Sequence, residues 1–160
     1  MLKISRLTDY GLLAAVYLSR RPGLVVAARE ISDFYGLPLP AISKVLKMLH
    51  AGGLIVSHRG VGGGYSFSGD ADSITLGQLL GILEGPWDLI DCETTNDAGH
   101  ALCGIRAGCP SRSFMSGINS AIKGAFDQVS LSDLARGTAP IGGWSNGRLT
   151  IRTERSEGIA

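Results

Sequence analysis

The sequence predicts a mainly α-helical protein with one small β-hairpin: a winged helix-turn-helix followed by a long C-terminal helix. Three observations predict this fold. Apolar residues recur at helical spacing through the first 50 positions, two short strand patterns then flank a glycine-rich loop, and a further helical pattern follows position 110. With 160 residues and 44% hydrophobic content, the chain is long enough for one compact domain and an added element.

Two helices open the predicted domain. The first has an apolar face from Ile4 to Leu18 and ends before Pro22. The second is shorter and covers residues 27–35, and Gly36 fits the position that follows a helix C-terminus. We expect three side chains of this second helix to face the core: Ala28, Ile31 and Phe34.

A third helix and a hairpin complete the pattern. The helix begins at Pro40, because proline suits the first helical position, and its predicted core face is Ile42, Val45, Leu46 and Leu49. Residues 54–57 and 65–67 are predicted strands around a loop that contains four glycines. This order of elements is typical of a winged helix-turn-helix DNA-binding domain: a short helix, a turn that contains proline, a second helix and a hairpin.

The remaining chain divides into four parts. A capping box at Thr75 opens a helix that ends near Gly85, so the DNA-binding domain is predicted to cover 1–86. Residues 87–110 lack a sustained period, so we expect a functional loop that something other than a hydrophobic core organises. Residues 111–136 carry an apolar stripe that favours a dimerisation helix, with packing on its own domain as the alternative. The 137–160 tail is rich in Gly, Ser, Thr and Arg and is predicted to be disordered.

Charge is distributed unevenly along the chain. Residues 1–60 contain eight Lys/Arg and three Asp/Glu. Residues 61–110 contain one Lys/Arg and seven Asp/Glu. A basic N-terminal part suits a polyanion, although a charge excess alone is more often an ordinary solvated surface. The sequence has no secretory signal pattern and no run of 18 apolar residues, so we expect a cytoplasmic protein without a membrane span.

The predicted third helix and wing supply candidate DNA contacts. A recognition helix reads base edges in the major groove with polar side chains near its N-terminus. We predict such contacts for Pro40, Ser43, Lys44 and Lys47. Arg59 lies at the tip of the glycine-rich hairpin, and arginine is attracted to a narrow minor groove, where the potential is most negative. Arg29, near the start of the second helix, is a candidate phosphate contact.

Three cysteines lie in the acidic part of the chain. Cys92, Cys103 and Cys109 follow a Cys-x10-Cys-x5-Cys spacing, and an odd number without a secretory signal argues against disulfides. From the residues alone, an iron–sulfur cluster, a zinc site and unligated thiols remain open. Structural zinc sites commonly use closer cysteine pairs than these.

An enzyme is the least favoured class of function. The sequence has no Cys-x-x-Cys motif, no nucleotide-binding loop and no nucleophile elbow, so we predict that the protein is not an enzyme. A zinc-stabilised winged-helix interaction protein is the main alternative to a DNA-binding regulator. A cysteine-dependent redox enzyme is a weaker one.

Four features together resemble a known family. They are the opening Ile4-Ser5-Arg6-Leu7-Thr8-Asp9-Tyr10-Gly11, the wing Arg59-Gly60-Val61-Gly62-Gly63-Gly64-Tyr65, the helix end Leu83-Glu84-Gly85, and the three cysteines. Over residues 1 to about 136, the sequence resembles the Rrf2-type bacterial regulators, which include IscR-, NsrR- and RirA-like proteins. It is most similar to regulators of SUF iron–sulfur assembly genes.

The resemblance implies a homodimeric transcription regulator, such as a repressor, that binds a palindromic operator in double-stranded DNA. It implies an iron–sulfur cluster on Cys92, Cys103 and Cys109, with 4Fe–4S favoured over 2Fe–2S, and a DNA contact for Arg59. The resemblance thus makes residues 87–110 a cluster-binding loop. Cluster assembly is then expected to order this loop and to set the spacing between the recognition helices of the two subunits.

The fourth cluster ligand departs from part of the family pattern. The first two cysteines are farther apart than in better-known members. IscR-like proteins supply a histidine shortly after the third cysteine, whereas Pro110-Ser111-Arg112 stands here. NsrR-like proteins use an aspartate from the first helix of the other subunit, and Asp9 matches that position. His100, inside the loop, is the second candidate.

Overall fold

A computed structural model describes residues 4–85, 103, 105 and 108–137, together with the strand backbones at 141–145 and 148–151. The predicted fold class is confirmed, because the described chain is mainly helical and contains an antiparallel hairpin in the predicted place. Its elements are, in order, α1 (Arg6–Ser19), α2 (Ala28–Tyr35), α3 (Leu39–Ala51), β1 (Ile55–His58), β2 (Gly64–Phe67), α4 (Leu76–Glu84), α5 (Arg112–Asp127), α6 (Leu131–Arg136), β3 (Ile141–Ser145) and β4 (Arg148–Ile151).

The first four helices and the hairpin share one hydrophobic core. Ser5 caps the N-terminus of α1, since its Oγ accepts the Thr8 N–H at 3.1 Å, and the helix buries Leu18 completely. The predicted core face of α3 is confirmed, since four of its side chains are fully buried: Ile42, Val45, Leu46 and Leu49. The predicted capping box of α4 is also present, with Thr75 and Gln78 as its two members.

The hairpin is fixed to the helical part of the domain. β1 and β2 pair with Ile55 opposite Phe67. Val26, which precedes α2, donates its N–H to the Tyr65 carbonyl at 2.9 Å and accepts the Tyr65 N–H at 2.8 Å. The segment that leads into α2 therefore extends the hairpin by one pair, and the wing and the helix-turn-helix form one unit.

Phe34 is a correction to the predicted core of α2. Its side chain is 62% exposed, whereas Ile31 is fully buried as expected. The Phe34 ring packs edge-on against the rings of Tyr17, at 4.9 Å between centroids, and Tyr35, at 4.8 Å. Because α2 has only eight residues, its apolar face is short. Phe34, in the last turn of this helix, therefore packs on neighbouring aromatic rings and stays largely exposed.

The predicted 111–136 helix is divided into α5 and α6. Ser130 starts the second of these, because its Oγ accepts the Asp133 N–H at 3.0 Å and the Asp133 carboxylate accepts the Ser130 N–H at 3.0 Å. The apolar period continues through Val129 and conceals this boundary in the sequence. The capping box at Ser130 starts a new helix although the apolar periodicity shows no break.

The junction between α5 and α6 packs against the N-terminal helices. Leu76 donates its N–H to the Val129 carbonyl at 2.8 Å, and Leu131 donates its N–H to the Ile74 carbonyl at 2.8 Å. The Leu131 side chain is fully buried in the core. The end of α5 is thus anchored beside the start of α4, and α6 is anchored in the N-terminal core through Leu131.

Two segments of the tail are strands, where the sequence predicts disorder. β3 and β4 pair antiparallel, with Ile141 opposite Ile151 and a register shift before Trp144. The sequence contains a hairpin signal that its composition obscures, since Asn146-Gly147 lies between two short segments that contain apolar residues, Ile141 and Trp144 before it and Leu149 and Ile151 after it. Separately, none of the helices in the described parts of the chain is long and apolar enough to cross a membrane.

Candidate nucleic-acid interface and cysteine segment

The turn between α2 and α3 is held from both sides. α2 ends at Gly36 in the left-handed conformation. Ser32 is almost buried, its hydroxyl donates to the Leu37 carbonyl at 2.7 Å, and its own carbonyl accepts the Leu37 N–H at 2.9 Å. Pro38 then caps α3 in an extended conformation. These contacts fix the direction in which α3 leaves the turn, which is what a recognition helix requires.

The predicted base-reading residues lie on the outer face of α3. Pro40, Lys44 and Lys47 are exposed, and Ser43 is half-buried. The first turn of α3 contains no acidic residue. Arg29 is exposed on α2, whose N-terminus begins at Ala27 without a side-chain cap. The predicted DNA contacts of the helix-turn-helix therefore form a positive outer surface that suits a polyanion.

The wing presents Arg59 beyond the end of β1. Arg59 is exposed, and within the described residues no carboxylate forms an ion pair with it. Behind it, the His58 ring nitrogen Nε2 and the Ser66 hydroxyl are hydrogen-bonded at 2.8 Å across the two strands. The guanidinium is therefore free to contact a phosphate or a groove, while the strand behind it is held in place.

The recognition helix and the wing are joined through His50. Its Nδ1 lies 3.0 Å from the Ile55 carbonyl and donates to it, because a carbonyl can only accept. The His50 ring also packs edge-on to the Tyr65 ring, with 6.5 Å between centroids. These contacts link the last turn of α3 to both strands, so Lys44, Lys47 and Arg59 belong to one unit.

The cysteine segment is described only in part. Cys103 and Cys109 are half-buried and unpaired by disulfides, while Cys92 and His100 lie outside the described residues. Among the residues that the structure does describe, no three His, Cys, Asp or Glu side chains form a group that could hold a metal ion. The predicted ligand set therefore stays a prediction.

Cys109 lies in surroundings that favour a thiolate. Its sulfur is 3.3 Å from the Ser111 hydroxyl. This hydroxyl contact, followed by the Ser111 backbone N–H, lowers the pKa of the Cys109 thiol. Thiolates are the form in which cysteine ligates iron or zinc, so the donor chemistry at this position fits a soft metal centre.

Asp9 is exposed on the first turn of α1, and its backbone N–H donates to the Ser5 carbonyl at 3.0 Å. The described chain does not bring its carboxylate together with a cysteine. Exposure leaves the side chain accessible to a second subunit, which is the arrangement that the resemblance implies.

Glu84 is the site residue whose contacts the sequence does not reveal. Its Oε1 accepts the Ser5 N–H at 3.0 Å and the hydroxyl proton of Thr8, which is fully buried. We call Ser5, Thr8 and Glu84 the α1–α4 clasp. It ties the helix that carries Asp9 to the last residue of α4, three positions before the cysteine segment. The contact spans 76 to 79 positions, so no local pattern indicates it.

The chain leaves the clasp through a glycine-dependent conformation. Gly85 has φ 84° and ψ −172°, a region essentially restricted to glycine. Another residue at position 85 would not adopt this conformation at the end of α4 without strain.

We expect Glu84→Gln to destabilise the fold by about 1 kcal/mol at neutral pH, because the clasp loses its charged acceptor. The Thr8 hydroxyl and then the Ser5 N–H lower the pKa of Glu84 below its ordinary value of 4.5. The stabilisation is therefore fully present above pH 4.5 and is lost as pH falls through the lower, folded-state value. Urea titrations of wild type and variant should differ at pH 7 and converge in acid.

Asp33→Asn is the matched control, since Asp33 is an exposed carboxylate on α2. It should leave stability within about 0.5 kcal/mol of wild type. A Glu84→Gln protein as stable as wild type at pH 7 would show that the charge of the clasp contributes nothing to stability.

The chain matches a family model over residues 4–137, described as Rrf2, iron-dependent transcriptional regulator. Among solved structures it is similar to CymR (YrzC), the global cysteine regulator of B. subtilis, with 30% identity, a TM-score of 0.68, and coverage of 86% of this chain and 99% of that chain. The oxidized form of Staphylococcus aureus CymR is 25% identical, with a TM-score of 0.61 and coverage of 84% and 96%. T. potens IscR shares the fold at 24% identity, with a TM-score of 0.63 and coverage of 85% and 88%.

Proposed function

The chain belongs to the Rrf2 family of transcriptional regulators, and from that premise we propose that it is a homodimeric, iron–sulfur-cluster-sensing regulator of iron–sulfur assembly (SUF) genes. The observation that carries the proposal is an exposed, positively charged surface on α3 and the wing, in the same chain as three closely spaced cysteines. Membership of a regulator family agrees with the prediction that the protein is not an enzyme. Because its target is chromosomal DNA, the proposal places the protein in the cytoplasm.

DNA binding rests on the joined recognition helix and wing. Ser43, Lys44 and Lys47 would contact the major groove from α3, and Arg59 would enter the adjacent minor groove. The hydrogen bonds of His50 and Val26 support this assignment, because they hold helix and wing in one fixed relation. Arg29 adds a phosphate contact at the side.

Dimerisation rests on α5. Its outer face exposes Phe114 at 69% and Ile118 at 36%, and exposed aromatic and branched side chains at helical spacing favour burial against another surface. A second copy of the same face is the proposed occupant, since a twofold contact is self-complementary. Two copies would present two recognition helices to a palindromic operator.

We expect Phe114→Ser to weaken dimerisation about tenfold, because a central aromatic side chain in an interface contributes more than 1 kcal/mol. Sedimentation equilibrium of the purified protein gives the dissociation constant. Ser120→Ala, an exposed position on the same helix but on another side, should change it little. An unchanged constant for Phe114→Ser would move the dimer contact away from this face.

The three cysteines are the proposed protein ligands of the cluster. Thiolates are its usual ligands, and the lowered pKa of Cys109 and the iron dependence in the family description both support this choice. A bound cluster would hold the 87–110 segment in one conformation, and this conformation would depend on iron and on the redox state of the cluster. The 4Fe–4S form is favoured, with a fourth ligand from Asp9 of the second subunit and His100 as runner-up.

The link from cluster to DNA follows from how α5 is held. Its C-terminal end is hydrogen-bonded to the start of α4 through Val129 and Leu76, whereas its N-terminal end continues from the cysteine segment. Ordering of that segment would therefore reorient α5 about an anchored end and change the separation of the two DNA-binding domains. Half-sites one helical turn apart, about 34 Å, are sensitive to such a change.

Anaerobic purification tests the proposal. We expect a brown protein with visible absorption and with both iron and acid-labile sulfide bound. Zinc without sulfide would favour the zinc-stabilised alternative. A colourless protein with neither metal nor sulfide, whose DNA binding responds to thiol oxidation, would instead favour a cysteine-responsive regulator, an alternative that the similarity to CymR supports.

We expect Asp9→Ala to retain a cluster on three cysteines but with an altered visible spectrum and faster loss in air, because an oxygen ligand from the other subunit is gone. His100→Ala is the paired variant and should be nearly silent. Anaerobic spectra and bleaching rates of both proteins give the answer. An unstable cluster in His100→Ala beside a wild-type spectrum in Asp9→Ala would place the fourth ligand inside the loop.

A further inference from the structure

Val61 is the most exposed large apolar side chain among the described residues, at 111% of its reference area. It lies at the wing tip, two positions after Arg59. A solvated apolar side chain is ordinary when the chain around it is loose. Here a hydrogen bond from Gly63 to Gly60 closes the turn, so Val61 is held on the outside of a defined turn and its exposure calls for a physical explanation.

The wing tip is a tight turn that projects Val61 outward. Gly63 donates its N–H to the Gly60 carbonyl at 2.9 Å, which makes Val61 and Gly62 the two central residues. Gly62 has φ 83°, the conformation that a type II turn requires at its third position. A side chain at Gly63 would lie 2.5 Å from the His58 carbonyl, so the base of the turn is closed as well.

We propose that Val61 packs into the DNA minor groove beside Arg59 and makes the wing select A·T pairs; this rests on the proposed DNA-binding function of the wing. Valine is β-branched and stiff, so a fixed turn presents its two methyl groups with little loss of entropy on binding. Other minor-groove binding proteins also place apolar side chains in this groove, usually as wedges between base steps.

The selectivity follows from the chemistry of the groove floor. In the minor groove, A·T pairs present only acceptors, whereas guanine adds a protruding N2 amino group. A valine at the floor would meet that amino group and could not accept its hydrogen bond. Arg59 is attracted by the narrow groove of A·T-rich DNA, so the charged and the apolar side chain favour the same sequence.

Modified DNA can test the contact without altering the protein surface elsewhere. The probe is a duplex that the wild-type protein selects from a random-sequence pool. In one version every adenine is replaced by 2,6-diaminopurine, which adds an amino group to the minor groove only. In another every thymine is replaced by uracil, which removes the major-groove methyl group. Affinities are measured by fluorescence anisotropy for wild type, Val61→Ala, Arg59→Ala and Val56→Ala.

We expect Val61→Ala to bind the unmodified duplex about 4- to 15-fold more weakly, since each buried methylene-sized group contributes roughly fourfold. The loss caused by diaminopurine should be smaller for Val61→Ala than for wild type, and the loss caused by uracil should be equal for both. Val56→Ala removes a 43% exposed valine from β1 of the same hairpin and should leave affinity unchanged.

Two results would overturn the inference while the proposed function stands: wild-type affinity in Val61→Ala, or a smaller uracil loss in that variant, which would place the valine in the major groove. Failure of the proposed function looks different. In that case the wild type selects no duplex, or Arg59→Ala binds as wild type does, and Val61 loses its role with the wing.

Discussion

Simultaneous replacement of Cys92, Cys103 and Cys109 by alanine is expected to abolish bound iron, sulfide and visible colour while the far-ultraviolet circular dichroism stays close to that of wild type. The fold should survive because the core of α1 to α4, α6 and the wing contains none of these positions. Each single replacement should also remove the intact cluster, since two thiolates and one oxygen ligand hold iron weakly.

Iron and sulfide analysis of anaerobically purified protein measures this effect. Ser113→Ala, an exposed position near the start of α5, is the control and should keep the full cluster content. A triple variant that still binds iron and sulfide at wild-type stoichiometry would remove the cysteines from the proposed site. A triple variant that no longer folds would show that the segment is part of the structural core.

Arg59→Ala is expected to weaken operator binding by about 1–3 kcal/mol, which corresponds to roughly 5- to 150-fold, with reduced selectivity if the guanidinium enters a groove. If Arg59 contacts only phosphate, affinity should instead fall equally on all DNA and the dependence on salt should decrease by about one ion. Gel-shift titrations at several salt concentrations, on operator and on unrelated DNA, separate the two cases.

Two further variants make the Arg59 result specific. Arg59→Lys keeps the positive charge but loses the planar guanidinium, so it should restore phosphate binding and not groove reading. Arg136→Ala removes the same charge from an exposed position on α6 and should have little effect. Unchanged operator affinity in Arg59→Ala would remove this residue from the interface.

The helix-turn-helix could be predicted because its signals are local. The buried face of α3 follows directly from apolar spacing, and the capping box at Thr75 marks the start of α4. Phe34 was predicted inside the core because periodicity cannot distinguish a core contact from packing on neighbouring aromatic rings. The α5–α6 boundary was missed because a capping box interrupts the helix while the apolar period continues through Val129.

The sequence indicates which residues are candidate DNA contacts, but it does not reveal the hydrogen bonds that position them. An exposed polar face on α3 and an arginine at a glycine-rich tip can be identified from sequence. The hydrogen bonds that position these residues cannot be identified from sequence, because they form only in the folded protein. They join His50 to the Ile55 carbonyl and Val26 to Tyr65. The α1–α4 clasp is similar, because Glu84 meets its partners only after α1 and α4 have packed.

Operator affinity measured anaerobically, for one protein preparation before and after removal of its cluster, tests the central claim most directly. The account predicts that the two forms differ by at least about fivefold on the operator, the lower end of typical coupling between sites, and hardly at all on unrelated DNA. The triple cysteine variant should match the cluster-free form. Equal operator affinity of the loaded and cluster-free protein would contradict the account, because the cysteine segment would then have no influence on DNA binding.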